Sequence, residues 1–199
     1  MRAAATAAFP RGGLIRDSAG NFYGTTYGVG ANSLGTVYKI APDGTATTLH
    51  SFAGGTDGKY PVAGLTLDTA GNLYGTTTQG GASCAGNGCG TVFKLAPDGT
   101  ETVLYAFTNA NDGGYPNDSG HLVIDGKGNL YGTAGTGGAN NDGVIFEIAP
   151  DGTETVLYSF TGASDGSFPL GGLIKAQGNL YGTTALGGTG GGALFELGK

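Results

Sequence analysis

The sequence predicts an all-β fold of the β-propeller class: four blades of about 50 residues, each a four-stranded antiparallel sheet, with the last blade incomplete. Three observations carry this reading. Glycine supplies 43 of the 199 residues, roughly three times its usual share. The phrase Gly-Asn-(Leu/Phe)-Tyr-Gly-Thr occurs four times, starting at Gly20, Gly71, Gly128 and Gly178, at spacings of 51, 57 and 50 residues. Each copy holds short runs of Val, Leu, Ile, Tyr, Phe and Thr bounded by Gly, Pro, Asn and Asp, and no stretch has the periodicity of a capped helix.

Taken in order through the second copy, strand a is expected at Leu65–Asp68, strand b at Asn72–Thr77, strand c at Thr91–Ala96 and strand d at Thr100–Phe107. The a–b link, Asp68-Thr-Ala-Gly71-Asn72, is a tight hairpin in which Asp accepts backbone N–H bonds and Gly supplies a positive φ. The c–d link is Pro97-Asp98-Gly99: Pro presets φ and Gly takes the left-handed position. Strand d alternates, with Val103, Tyr105 and Phe107 on one face and Leu104 and Ala106 on the other. An aromatic-Pro pair opens every copy, at Phe9-Pro10, Tyr60-Pro61, Tyr115-Pro116 and Phe168-Pro169. The repeats are therefore 9–59, 60–114, 115–167 and 168–199 of a single domain, 1–199. A lone small sheet cannot bury both faces, so the repeats must pack on one another. A β-sandwich is the alternative, but it requires no internal repeat.

The other glycine-rich classes fail on the same numbers. Collagen needs Gly at every third residue and abundant Pro, whereas seven prolines are present without such a period. Disordered chains lack aromatics and carry much charge; here ten Tyr and nine Phe accompany a charged fraction of 12%. Gly and Thr interrupt every apolar run before the length a membrane helix requires, so no membrane span is expected. A net charge of −6 with nine scattered Lys and Arg argues against a nucleic-acid partner. The segment Met1–Phe9 does not read as a signal peptide, and looks like the start of a fragment with no anchor at the other end.

From Pro61 to Phe107 the second copy runs Pro-x-x-Gly-Leu-x-x-Asp-x-x-Gly-Asn-Leu-Tyr-Gly-Thr-Thr, then Gly-Thr-Val-Phe-Lys-Leu-x-Pro-Asp-Gly-Thr-Glu-Thr-x-Leu-Tyr. This pattern resembles the GloVer tandem repeat, over residues 9–197, and is more distantly similar to NHL-type propeller blades. The resemblance implies a propeller blade with strand a innermost, and a secreted or surface bacterial protein. It implies no activity. Copy four departs from the pattern: Gly172-Leu-Ile-Lys-Ala-Gln-Gly178 is one residue short and lacks the Asp. Copy four also stops after strand c, at Ala193–Leu197, for a total of fifteen strands. Either Arg2–Ala8 closes a small four-bladed ring, or the chain is part of a larger ring that a second copy completes as a homodimer.

The b–c and d–a loops vary between copies while the hairpins do not, and both loop sets fall on one face of a propeller. That face is the candidate binding surface for a glycan or protein, with Tyr27, Asn32, Gln79, Asn140, Asn141 and Asp142 as candidate contacts. His121 stands near the start of its inner strand, where it could face the channel mouth, or it fills space around a one-residue insertion. Asp57, Asp112 and Asp165 recur as Asp-Gly in the d–a loops; Ca²⁺ there is possible but unsupported, because each loop offers few oxygens, and a turn role is preferred. Asp17, Asp68 and Asp125 close strand a, and turn capping outranks a metal ring because copy four has no matching Asp. His50 takes the slot of Tyr105 and Tyr158 and reads as a packing variant. Cys84 and Cys89 are expected to form a disulfide stiffening an exposed loop, since zinc would need two more ligands.

The function these features favour is a non-catalytic, extracytoplasmic binding or surface scaffold with no cofactor and no catalytic residues. The alternative is a propeller-type lactonase or glycan lyase working in the central channel.

Overall fold

The computed structural model describes residues 9–81, 84, 86–116, 120–188 and 190–198. The segment Arg2–Ala8 lies outside the described residues, as do positions 82, 83, 85 and 189 of the variable loops. Four antiparallel sheets follow one another along the chain. The first holds β1 (Ile15–Arg16), β2 (Phe22–Thr26), β3 (Thr36–Ile40) and β4 (Ala46–Ser51). The second holds β5 (Thr66–Leu67), β6 (Leu73–Thr77), β7 (Thr91–Leu95) and β8 (Glu101–Ala106). The third holds β9 (Gly114–Pro116), β10 (Val123–Ile124), β11 (Leu130–Thr136), β12 (Val144–Ile148) and β13 (Glu154–Ser159). The fourth holds β14 (Ile174–Ala176), β15 (Asn179–Thr183) and β16 (Leu194–Leu197). Apart from β9, the strands of each sheet neighbour one another in chain order, which is the up-and-down order of a propeller blade.

The structure adds a sixteenth strand to the fifteen expected. β9 is the aromatic-Pro segment of the third repeat, paired antiparallel with the end of β11. The same segment makes single bridges elsewhere, at Pro10–Thr26, Lys59–Gln79 and Ser167–Leu186. It was missed because proline cannot donate to a ladder and so reads as a strand breaker.

Strict alternation in strand d is also corrected. The register between β7 and β8 slips at Val92/Phe93, leaving Leu104 as an extra residue, and the same slip recurs between β3 and β4 and between β12 and β13. A bulge of this kind turns the strand by one residue. As a result Leu104, Tyr105 and Phe107 all pack in one cluster. Alternation from sequence assumes an unbroken period of two, which a bulge interrupts.

Each blade presents a leading side chain set to the blade before it and a trailing set to the blade after it, and the core consists of the three junctions between them. The first joins Val37 and Phe52 to Leu65, Leu73, Phe93 and Leu95. The second joins Val92 and Phe107 to Leu122, Leu130, Phe146 and Ile148. The third joins Tyr131, Ile145 and Phe160 to Leu173 and Leu180, with Phe195 and Leu197 against them. In each, the phenylalanine after strand d meets a phenylalanine of the next strand c at centroid distances of 5.2, 5.0 and 5.1 Å.

A backbone stitch accompanies each junction. The aromatic residue of the aromatic-Pro pair sits at positive φ, 60° at Tyr60, 52° at Tyr115 and 54° at Phe168. Its N–H donates to the preceding blade, to the carbonyls of Leu34, Cys89 and Asp142 respectively. The proline then lies on the glycine before strand c: a Cβ on Gly35, Gly90 or Gly143 would come within 2.4–2.5 Å of the proline Cδ. Those glycines also have φ near +100°, so both the close approach and the dihedral require glycine.

The array is an open arc. Glycine-rich segments before strand a meet in sequence along the axis: Gly12 against Ala63, Gly64 bonded to the Gly120 carbonyl, and Gly120 against Gly172. Among the described residues nothing lies within 4 Å of a Cβ placed on Gly13, and Phe9, Pro10 and Leu14 on the first blade and Leu194 on the last are exposed. Of the two expected rings, the closed four-bladed one is therefore not formed by the described residues.

Candidate functional site

The b–c and d–a loops gather on one face because β-strands in each blade run alternately, so both loop sets leave the same end of the sheets. The first two blades assemble a cluster there. Lys59 and Gln79 exchange both backbone hydrogen bonds, at 2.8 and 3.2 Å, and Thr78 N–H donates to the Tyr60 carbonyl. This locks the d–a loop of the first repeat to the b–c loop of the second. Tyr60 then stacks on Tyr27, with centroids 4.6 Å apart and planes at 21°. Arg11 lies over the Tyr27 ring at 5.2 Å and Lys59 over the Tyr60 ring at 5.5 Å. The Lys59 ammonium also donates to Asn87 Oδ1 at 3.2 Å. The result is a ladder of cation, ring, ring and cation, edged by amides.

Of the residues expected at a binding face, Tyr27 and Gln79 are brought together here. Asn32 and Asn140 occupy equivalent loop positions in the first and third blades, and each donates Nδ2 to a backbone carbonyl, Phe52 at 3.2 Å and Phe160 at 3.1 Å. Asn141 sits at φ 60° and accepts the Gly137 N–H at 3.0 Å. The Asp142 carbonyl accepts the Phe168 N–H at 2.9 Å, within the stitch. Arg11, Lys59, Tyr60 and Asn87 were not singled out in sequence. The signal available was a cation on either side of the aromatic-Pro pair, in Lys59-Tyr60-Pro61 and Phe9-Pro10-Arg11.

The turn carboxylates on the opposite face are fully engaged. Asp68 accepts Asn72 N–H at 2.8 Å, Asn72 Nδ2 at 2.7 Å, Ala70 N–H at 2.9 Å and the Tyr74 hydroxyl at 3.0 Å. Asp17 and Asp125 repeat the set with Asn21 and Tyr23, and with Asn129 and Tyr131. Burial alone would raise these carboxyls, but the N–H and O–H donors outweigh it: Asp68 is held below the ordinary value and Asp125 down to about 2. Burial and the Asp68 carboxylate in turn push Tyr74 up to about 12. The fourth blade, which lacks the Asp, uses Glu196 of β16 instead: it accepts from Asn179 Nδ2 and from the Tyr181 hydroxyl. The motif Gly-Asn-Leu-Tyr-Gly therefore carries a capping network, with the acceptor supplied from either strand.

The d–a loop carboxylates close their own loops. Asp112 accepts from the Tyr105 hydroxyl at 3.0 Å and from Thr108, and Asp165 from the Tyr158 hydroxyl at 2.9 Å and from Thr161. His50 replaces the tyrosine functionally as well as by position, with Nε2 3.0 Å from Asp57. Two glutamates at the start of strand d were not foreseen. Burial, with the nearby charge of Asp57 and Asp112, pushes Glu101 and Glu154 up to about 7. The Oε1 atom of each is buried with no hydrogen-bond partner among the described residues.

At the inner end of the blades, His121 is exposed and lines a cavity of about 270 Å³ with Gly13, Leu14, Ile15, Gly64, Leu65 and Gly120. It is the titratable residue among those lining it, and among the described residues no three His, Cys, Asp or Glu side chains gather as metal ligands. Cys84 and Cys89 are joined, with Cα atoms 5.7 Å apart. The bond does more than stiffen an exposed loop: Cys89 is buried and belongs to the second junction, so the disulfide pins the loop to the core.

The Gloeobacter/Verrucomicrobia repeat describes residues 3–197 of this sequence. No curated protein matches it. Among solved structures, the fold is similar to that of a candidate glucose dehydrogenase from Thermus thermophilus, with TM-score 0.57 and 17% identity over 94% of this chain and 60% of that one. It is similar as well to a luciferin-regenerating enzyme, TM-score 0.55 and 16% identity over 94% and 60%. A candidate gluconolactonase gives TM-score 0.53 and 18% identity over 92% and 57%. The chain thus spans less than two thirds of the length of these structures. At these identities the likeness is one of fold. No helix is long and apolar enough to cross a membrane.

Proposed function

The chain belongs to the Gloeobacter/Verrucomicrobia repeat family, and from that premise we propose that it is a non-catalytic, extracytoplasmic binding module whose loop face holds a glycan. The observation that carries the reading is the ladder of Arg11, Tyr27, Tyr60 and Lys59. Ring edges, amides and two cations offer apolar contact and hydrogen-bond donors to a hydroxyl-rich or carboxylate-bearing sugar, on a rigid scaffold. Asp68, Asp112 and Asp165 are spent on capping turns and loops, which supports a binding rather than a catalytic use of this scaffold. The disulfide supports an oxidising compartment. No cofactor enters this reading.

A glycan array tests it. The wild-type chain is expected to bind, Tyr27→Ala and Lys59→Ala to weaken the bound glycan by about tenfold or more, and added Ca²⁺ to change nothing. A blank array, or binding indifferent to both substitutions, removes the glycan from this face. Turnover of a lactone or glycan that is lost in His121→Ala would establish the channel enzyme instead.

A further inference from the structure

The three internal junctions show what a blade's trailing face accepts. In the strand c position that points forward, Val37, Val92 and Ile145 are all within 1% of complete burial, whereas Leu194 in the fourth blade is 80% exposed. Ile174 is also exposed, although its counterparts Ile15 and Val123 lie against the first and third junctions. At the other end of the chain the described residues leave part of the leading face of the first blade open, although Tyr38 on it is buried. Leu14 and Phe22 are exposed, while their counterparts Leu65, Leu122 and Leu173, and Leu73, Leu130 and Leu180, are buried. Phe9 and Pro10 are likewise exposed, with no glycine of an earlier blade beneath them. Among the described residues, the chain therefore carries the two halves of a fourth junction with their apolar side chains exposed. Apolar surface left open in this way marks an interaction site.

Charge identifies the occupant. At the third junction Lys175, on the leading face of the fourth blade, lies over the Tyr131 ring at 4.4 Å and reaches Asp125 at 3.5 Å. The same slot holds Leu67 and Ile124 in the second and third blades, but Arg16 in the first, where it is exposed. The trailing face of the fourth blade offers the matching acceptor, because Glu196 stands in for the missing Asp beside Tyr181 and is exposed. Arg16 on Glu196 and Tyr181 would repeat Lys175 on Asp125 and Tyr131.

We propose that the leading face of the first blade docks on the trailing face of the fourth blade of a second copy, head to tail, with Phe22 and Leu14 against Leu194 and Ile174 and with Arg16 on Glu196. This inference is independent of the glycan reading. A head-to-tail contact closes into a ring if the rotation permits and otherwise adds further copies.

Sedimentation equilibrium of the chain from about 1 μM to about 1 mM covers the relevant affinities. The average mass is expected to rise with concentration. Leu194→Asp and Phe22→Asp are exposed positions, so each is expected to keep the wild-type circular dichroism while association falls by about tenfold or more. Mixing the two blocked variants supplies one intact head and one intact tail, and is expected to restore a dimer and nothing larger. Arg16→Glu is expected to weaken association by about fivefold, with recovery when it is mixed with Glu196→Arg. A wild type that stays strictly monomeric overturns the proposal, whatever else then covers the two faces. Failure of the blocked variants to recover on mixing also overturns it, because that pattern belongs to a symmetric contact.

Discussion

Ile145 and Leu194 hold the same place in strand c of consecutive blades, yet one is sealed in the third junction and the other stands in solvent. Their strands have the same pattern, Val-Ile-Phe-Glu-Ile in one and Ala-Leu-Phe-Glu-Leu in the other. What differs is whether the described residues set another blade against the strand. In this fold a side chain's contribution is set by its neighbour along the arc rather than by its own strand, which is the nearest-neighbour energetics of repeat proteins.

The contrast yields its largest effect on truncation. Ile145→Ala is expected to cost about 3 kcal/mol, because it removes buried contacts and leaves a cavity, lowering the melting temperature by about 10 °C. Leu194→Ala is expected to change stability by less than about 0.5 kcal/mol at a concentration where the chain is monomeric. Equal losses at the two sites would break the comparison.

A smaller effect separates the capping networks of the second and fourth blades. Asp68→Ala leaves three N–H groups and a tyrosine hydroxyl without their acceptor, and chemical denaturation is expected to register about 2 kcal/mol. Glu196→Ala removes an exposed acceptor that serves two donors, and less than about 0.5 kcal/mol is expected.

The smallest effect depends on pH. Glu154 is pushed up to about 7 by burial and by Asp112, so folding favours its protonated form. The stability it contributes is complete below the ordinary carboxylate range and is lost as pH rises through 7. Glu154→Gln is therefore expected to be more stable than the wild type at pH 8, by under about 1 kcal/mol because the group is partly solvated. The gap should close near pH 4, and thermal melts at the two values measure it. A gap that widens in acid would contradict the cause assigned to the shift.

Much of the architecture was legible because glycine and Asp-Gly turns are local instructions. Gly99 and Gly71 end strands through their own dihedrals, whatever surrounds them. The Asp68, Asn72 and Tyr74 network was half legible: turn capping was readable from Asp before Gly-Asn, while the tyrosine hydroxyl's part in it required the strand pairing that brings it back over the turn. The bulge at Leu104 and the strand at Gly114–Pro116 were not legible, since both depend on partners in other strands. The binding face shows the same division. Variable loops located it, and Tyr27 and Gln79 were named, but Lys59, Tyr60 and Arg11 join them only through a contact between repeats.

The sequence by itself determined the blade: where strands end, which turns join them, and that four copies must pack on one another, because those features rest on dihedral preference and on a pattern recurring every 50 to 57 residues. Only the tertiary structure decided that the described blades form an open arc, which tyrosines meet, and which of two like side chains is buried. Those outcomes depend on the angle and contact between blades, and no residue encodes them alone.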